Sequence, residues 1–218
     1  MTNAQLPEAF RRLRAAAKHW VVPMVYAMAQ NGATPYEILI ASLLSARTLD
    51  TTTSVVYPAL FKLANTPEKM VALSEAQIER MIRRVAFSAT KAKQIQALSQ
   101  ILIDQYGGRV PETIEELDEL PGVGRKIANL TVTMAFGKAG ITVDTHVHRI
   151  VNRWGYVRTK TPDETERALR EKLPQQYWVE INGLLIPFGQ NICRPTNPKC
   201  SICPIHEFCD KVGVNKSQ

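Results

Sequence analysis

Leu120-Pro121-Gly122-Val123-Gly124-Arg125-Lys126 joins a short acidic segment, Glu112 to Leu120, to an apolar one that runs from Gly124 to Phe136 and is closed by Gly137. The two glycines let the backbone reverse within a few residues and leave its amides outward, towards the positive end of the helix that follows. Such a turn can hold a phosphate through N–H groups alone. It is not a Walker loop, because no strand precedes it and Ile127 follows the lysine where Ser or Thr belongs. It is not a dinucleotide fingerprint either, which would place Gly at position 127. Taken alone, the seven residues also suit an ordinary connection between two helices. Either way the flanks are helical, and that decides the fold class.

Working outward, the chain reads as helices from end to end. Ser74-x-x-Gln77 is a capping box opening a helix through Val85. The next is predicted from near Thr90 to Gly107-Gly108, a C-terminal glycine signal. Asp144 stands where an N-cap belongs, before an apolar-periodic stretch ending at Gly155. Thr161-Pro162-x-Glu164 combines a cap, a proline at the first helical position and a capping carboxylate. The longest apolar run, Tyr36 to Ala46, contains Glu37 and is one helix long, well short of a membrane span. No alternating strand pattern or repeat emerges. The expectation is an all-α protein.

The 218 residues suffice for one large or two small cores. With 45% hydrophobic and 22% charged residues the composition is that of a globular protein. The formal net charge of +7 favours a polyanionic partner, since neutralising phosphates supplies sequence-independent affinity. A membrane-surface role is disfavoured, because no Lys-rich amphipathic helix carries large apolar residues. The N-terminal stretch holds Glu8, Arg11, Arg12 and Arg14 and does not resemble a secretory signal. A cytoplasmic location is expected.

From Asn191 onward, prolines 195, 198 and 204 and all four cysteines replace the helical periodicity. Cys193, Cys200, Cys203 and Cys209 form C-x6-C-x2-C-x5-C. A segment so poor in apolar residues needs a staple. Disulfides are disfavoured in a reducing compartment. Zinc sites of four cysteines usually arrive as two close pairs, and here only Cys200 and Cys203 are close. A compact loop of four thiolates also suits a [4Fe–4S] cube. Spacing leaves zinc and cluster both open.

Two further residues carry chemistry. Lys126, in the first turn of its helix and beside Arg125, is either a phosphate contact or a nucleophile whose charged form the helix end and Arg125 disfavour. Eighteen residues on, in Val143-Asp144-Thr145-His146, the carboxylate of Asp144 could both cap a helix and stabilise a cation. His146 and His148, two apart on a helix, point to different sides and read as packing or polar-network residues rather than metal ligands.

These motifs, in this order, resemble the endonuclease III branch of the helix-hairpin-helix DNA glycosylases. LPGVGRK is similar to its hairpin with the catalytic lysine, VDTHV to its catalytic aspartate segment, and the four-cysteine spacing to its cluster loop; YEILIASLLSARTLD at 36–50 and ANTPEKM at 64–70 also look familial. The likeness spans about residues 30 to 210. It implies two helical domains with a cleft between them: residues 28–138 with the hairpin and Lys126, and 1–27 plus 139–218 with Asp144 across the cleft and the cluster loop at about 187–210. It implies a structural [4Fe–4S] cluster on the four cysteines, with Arg194 and Lys199 presented to DNA phosphates. Gly122, Val123, Gly124 and Arg125 become DNA contacts, Lys126 and Asp144 the catalytic pair. The implied partner is double-stranded DNA holding a damaged base or abasic site, bound by a monomer. The implied reaction is excision of an oxidised pyrimidine by a bifunctional glycosylase and abasic-site lyase.

Two places depart from the family. Arg47 stands where Gln commonly fills the hole left by an extruded base, and Ala86-Phe87-Ser88-Ala89 replaces a wedge loop that often reads G-L-Y-N. Phe87 could still insert beside the orphan base. These departures put lesion preference in doubt, and leave open a glycosylase of shifted scope (uracil or thymine mispairs, or abasic sites only). A non-catalytic DNA-binding protein, with Lys126 as a mere phosphate contact, is the reading from another class. Asp50 keeps a familial aspartate whose role could be structural.

Overall fold

The computed structural model describes residues 1–218 and is helical without a strand. In chain order the α-helices are α1 (Leu6–Ala17), α2 (Met24–Gln30), α3 (Pro35–Ser45), α4 (Asp50–Leu63), α5 (Pro67–Val71), α6 (Glu75–Ile82), α7 (Ser88–Tyr106), α8 (Ile114–Asp118), α9 (Arg125–Phe136), α10 (Thr145–Arg153), α11 (Pro162–Lys172) and α12 (Trp178–Asn191). The chain divides into two compact units, a central one over Met24–Lys138 and a discontinuous one formed by Met1–Pro23 with Ala139–Gln218. No helix is long and apolar enough to cross a membrane.

The central unit is built around α3. Thr34 opens this helix with a capping box to Glu37, and Tyr36 and Ile38 through Leu44 are all buried, which is why the segment reads as an apolar run without amphipathic relief. Leu39, Leu43 and Leu44 pack with Leu60 of α4, Ile78 and Ile82 of α6, Ile95, Leu98 and Leu102 of α7, and Ile127 and Ala128 of α9. Each such side chain contributes about 1.5–3 kcal/mol by leaving water. Two buried hydroxyls are paired: Tyr36 and Ser99 share a 2.6 Å hydrogen bond, and Ser99 Oγ donates to Ile95 O. Helix α4 runs through Pro58, which lies on its exposed side, where the carbonyl it leaves unpaired can be hydrated.

Three boundaries differ from the sequence expectations. Helix α6 keeps its Ser74–Gln77 capping box but ends at Ile82 rather than Val85. Helix α7 begins at Ser88, two residues before the predicted Thr90, because Phe87 takes a left-handed conformation (φ 59°) and breaks the chain direction there. Helix α8 is shorter than Glu112–Leu120, since Thr113 accepts from Glu116 N as its cap and Leu120 O is taken by the hairpin turn.

In the discontinuous unit, Phe10 and Leu13 of α1 pack with Val147, Ile150 and Val151 of α10, Leu169 of α11, and Ile181, Leu185 and Phe188 of α12. The Phe10 and Tyr177 rings lie in tilted contact, with centroids 4.2 Å apart. The N-terminal ammonium is buried and donates to Trp154 O at 2.8 Å, which ties the start of the chain to the end of α10. After α12 the chain has only short 3-10 turns, at Cys200–Ile202 and His206–Phe208, and two buried side chains, Pro198 and Ile205.

Candidate active site

The hairpin sits between α8 and α9. Gly122 adopts φ +79°, the left-handed region that an L side chain rarely enters, and a Cβ there would lie 2.6 Å from the Gln94 side chain. Gly124 differs: its backbone is extended (φ −108°) and a Cβ would meet nothing within 4 Å, so neither strain nor crowding inside the chain requires glycine. Val123, expected among the DNA contacts, is buried in the core, and its N–H donates to Leu120 O at 3.0 Å. Its part is to shape the turn, because side chain and amide are both spent inside the molecule. Gly124 offers no side-chain cap to α9, whose first turn carries Arg125 and the exposed Lys126 and no acidic residue. A positive helix end, two cations and an uncapped turn make an anion site by ordinary electrostatics.

Asp144 begins α10 in the opposite manner. Its Oδ1 accepts from Val147 N at 2.8 Å, an N-cap of the helix. The side chain is half-buried. The two histidines expected in polar networks are found there: His146 Nδ1 meets Arg149 Nη2 at 3.1 Å, and His148 Nδ1 meets Thr165 Oγ1 at 2.6 Å. Asp50 Oδ2 accepts from Met24 N at 3.2 Å, so this carboxylate fastens the start of α2 to the start of α4.

The same α10 buttresses the cysteine loop through two residues that sequence reasoning missed. Arg153, 9% exposed, donates to Arg194 O and Pro195 O at 2.6 and 2.7 Å and to Cys193 Sγ at 3.4 Å. Arg149 donates to Cys193 O at 2.9 Å and to Gly189 O at 3.3 Å. Gly189 is required for this approach, since a Cβ would stand 2.4 Å from His146 Nδ1 and 2.9 Å from Arg149 Nη2. Their spacing of four on one helix face was the available signal, though it is common to any exposed basic helix.

All four cysteines are free thiols of intermediate exposure, so no disulfide staples the tail. Cys193, Cys203 and Cys209 pack against the core of the discontinuous unit. Burial, with added repulsion from Cys193, Cys209 and Cys200, pushes the Cys203 thiol up to about 12, and burial likewise raises Cys209. Cys203 and Cys209 therefore each feel the other cysteines of the loop. Four thiols on one short loop, three of them packed against the same core, are a donor set that fits a cluster held by four thiolates. Arg194 is exposed and Lys199 half-buried on this loop.

Arg47 and Phe87 are both exposed and both in the left-handed region, with φ 57° and 59°. The Arg47 guanidinium lies over the Phe87 ring, 5.6 Å from its centroid. Close by is Lys91, to which the sequence analysis assigns no role and which is 5% exposed.

The family model for "HhH-GPD superfamily base excision DNA repair protein" matches residues 40–175, and that for the iron–sulfur binding domain of endonuclease III matches 193–209. Endonuclease III of Thermotoga maritima is 43% identical over 176 residues, 81% of this chain and 83% of its own. The solved structure of a non-covalent endonuclease III–DNA complex superposes with a TM-score of 0.86 at 34% identity, covering 97% of this chain and 96% of that one. A trapped endonuclease III–DNA covalent intermediate gives the same score and identity over 97% of each chain. The chain belongs to the endonuclease III family. It is accordingly a base-excision-repair enzyme, a DNA glycosylase with abasic-site lyase activity, and its cysteine loop is that of a [4Fe–4S] protein.

Proposed function

We propose that Lys126 and Asp144 carry the reaction and that the substrate is an oxidised pyrimidine in duplex DNA, bound by a monomer in the cell compartment that holds the chromosome. The observation that carries this is the exposed Lys126 at the second position of α9, directly after an uncapped hairpin. A base must leave the stack before its C1′ can be reached. The neutral amine of Lys126 then forms the N–C1′ bond while the glycosidic electron pair departs with the base, which takes up a proton. Asp144 stabilises the developing sugar cation and accepts the proton lost by the amine. Opening of the sugar ring gives a Schiff base, which acidifies C2′–H. Loss of that proton expels the 3′ phosphate, and water releases the lysine.

The phosphate-facing groups in this reading are the Gly122 and Gly124 backbone, Arg125, and Arg194 and Lys199 of the cysteine loop, with Arg47 and Phe87 entering the duplex beside the lesion. Cys193, Cys200, Cys203 and Cys209 would hold the cluster, whose contribution is a four-cornered crosslink for a tail that has almost no core of its own.

Borohydride reduction tests the proposal. Wild-type protein is expected to become covalently attached to abasic duplex, and Lys126→Ala to lose attachment while retaining affinity. Binding without any trapping would remove Schiff-base chemistry. A panel of defined-lesion duplexes, scored separately for base release and strand cleavage, then separates oxidised pyrimidines from uracil or thymine mispairs.

A further inference from the structure

The central unit carries a buried cation that the reaction outlined above does not use. Lys91 lies in the first turn of α7, yet its ammonium points inward and donates to Leu44 O at 2.8 Å, Ala46 O at 2.6 Å and Thr48 Oγ1 at 3.4 Å. Leu44 is in the last turn of α3 and Ala46 just beyond it, so the cation closes orphan carbonyls at the negative end of that helix. Three donors meet three acceptors. The Thr48 hydroxyl is the second node: it also accepts from Ala86 N at 3.1 Å, and Lys91 N donates to Phe87 O at 2.9 Å.

The residues bracketed by these bonds are two of the four non-glycine residues in the left-handed region, and the two that lie in the central unit. Arg47 stands between Ala46 and Thr48, and Phe87 between Ala86 and the start of α7. A non-glycine residue in the left-handed region is strained, and it persists only where the surroundings fix it. One ammonium and one hydroxyl fix both turns together. What they hold out is an exposed aromatic ring under a guanidinium, a pair suited to entering a duplex between bases.

We propose that Lys91 is a positioning residue: it locks the Arg47 and Phe87 turns into one rigid element, so that the ring and guanidinium meet the duplex as a unit when the damaged base is extruded. This rests on the reading that Arg47 and Phe87 touch DNA. Lys91 itself touches no substrate and acts only through the two turns.

The test compares base release from a duplex carrying one oxidised pyrimidine with cleavage at a preformed abasic site, where no base remains to be extruded. A fluorescent adenine analogue opposite the lesion reports the opening of the stack. Lys91→Met keeps length and apolar packing but removes the three bonds. It is expected to slow single-turnover base release by about tenfold or more, because small misplacements of a substrate-contacting group are costly. It should shrink the fluorescence change in proportion and leave abasic-site cleavage within about twofold. Thr48→Val, which removes the second node without removing the cation, should act in the same direction more weakly, and it carries the test alone if Lys91→Met does not fold.

Joining Lys91→Met to Phe87→Ala should cost little beyond Phe87→Ala alone. Additive losses, an equal loss on abasic DNA, or unchanged base release overturn the proposal. Phe87→Ala by itself separates the two readings. If it leaves base release unchanged, the ring does not work on DNA. If it slows release while Lys91→Met and Thr48→Val do not, only the positioning role fails.

Discussion

Helices α9 and α10 begin in opposite ways. Helix α9 starts at Gly124, which supplies no cap, and its first turn holds two cations; α10 starts at Asp144, whose own carboxylate accepts from Val147 N. Both ends face the same problem, amides with no intrahelical partner. In α10 the chain solves it internally. In α9 no side chain caps the first turn, and in the reading proposed above a DNA phosphate takes that place. The contrast suggests that stability was placed at one helix end and binding at the other, and it can be broken experimentally from either side.

The largest effect is expected at Lys126. Its side chain is exposed, so Lys126→Ala should leave the melting temperature within about a degree, as surface substitutions do. Borohydride trapping should nevertheless fall below detection, a loss of at least about a thousandfold for a covalent nucleophile. Trapping that survives would move the nucleophile elsewhere.

Asp144 comes next, and two substitutions divide its duties. Asp144→Asn retains a good N-cap, so stability should hold while base release slows by about a hundredfold or more through loss of the negative charge. Asp144→Ala should add a stability loss of about 1 kcal/mol. Equal melting curves for the two would deny the cap its energetic value, and equal activity of Asn and wild type would deny the charge its role.

Gly124 offers the reverse experiment. Because its backbone is extended and a Cβ there meets nothing, Gly124→Asp can supply the cap that α9 lacks. A gain of a few tenths of a kcal/mol is expected. The new carboxylate would also occupy the proposed phosphate position, weakening duplex binding by about tenfold and reducing the salt slope by about 1. More stability with less binding is the outcome that sustains the contrast; unchanged binding would take the hairpin out of the interface.

The sequence made one of these helix ends fully legible and the other only half so. Asp144 announces itself, as do Ser74, Thr161 and the glycines after α7 and α9, because caps are local: a side chain bonding an amide three residues away leaves a fixed spacing. The hairpin was visible as a turn, but the fate of the Val123 amide and the freedom around Gly124 depend on neighbours distant in sequence. Least visible was the surface at Arg47 and Phe87. Phenylalanine is not a cap residue and neither residue favours positive φ, so nothing local predicts where α7 begins. The reason lies with Lys91, whose acceptors stand more than forty positions earlier in the chain. A lysine in Thr90-Lys91-Ala92-Lys93 reads as solvated until the end of α3 is placed beside it.

Lys91 also yields the smallest effect, read as stability against pH. Burial lowers its ammonium from 10.5 to about 8 in the folded protein, although the side chain is fully solvated when unfolded. Between those values the unfolded chain binds the additional proton, so the contribution of this residue to stability should rise with pH across about 8 to 10.5 and be flat below about 8. Subtracting the pH dependence of Lys91→Met from that of wild type isolates the contribution from other titrating groups. A difference curve that instead stays flat across this window and falls only above about 10.5 would mean that the three acceptors and the negative end of α3 outweigh burial and hold the ammonium charged. The clamp on Arg47 and Phe87 would then persist to higher pH, and base release should keep its rate there relative to abasic-site cleavage.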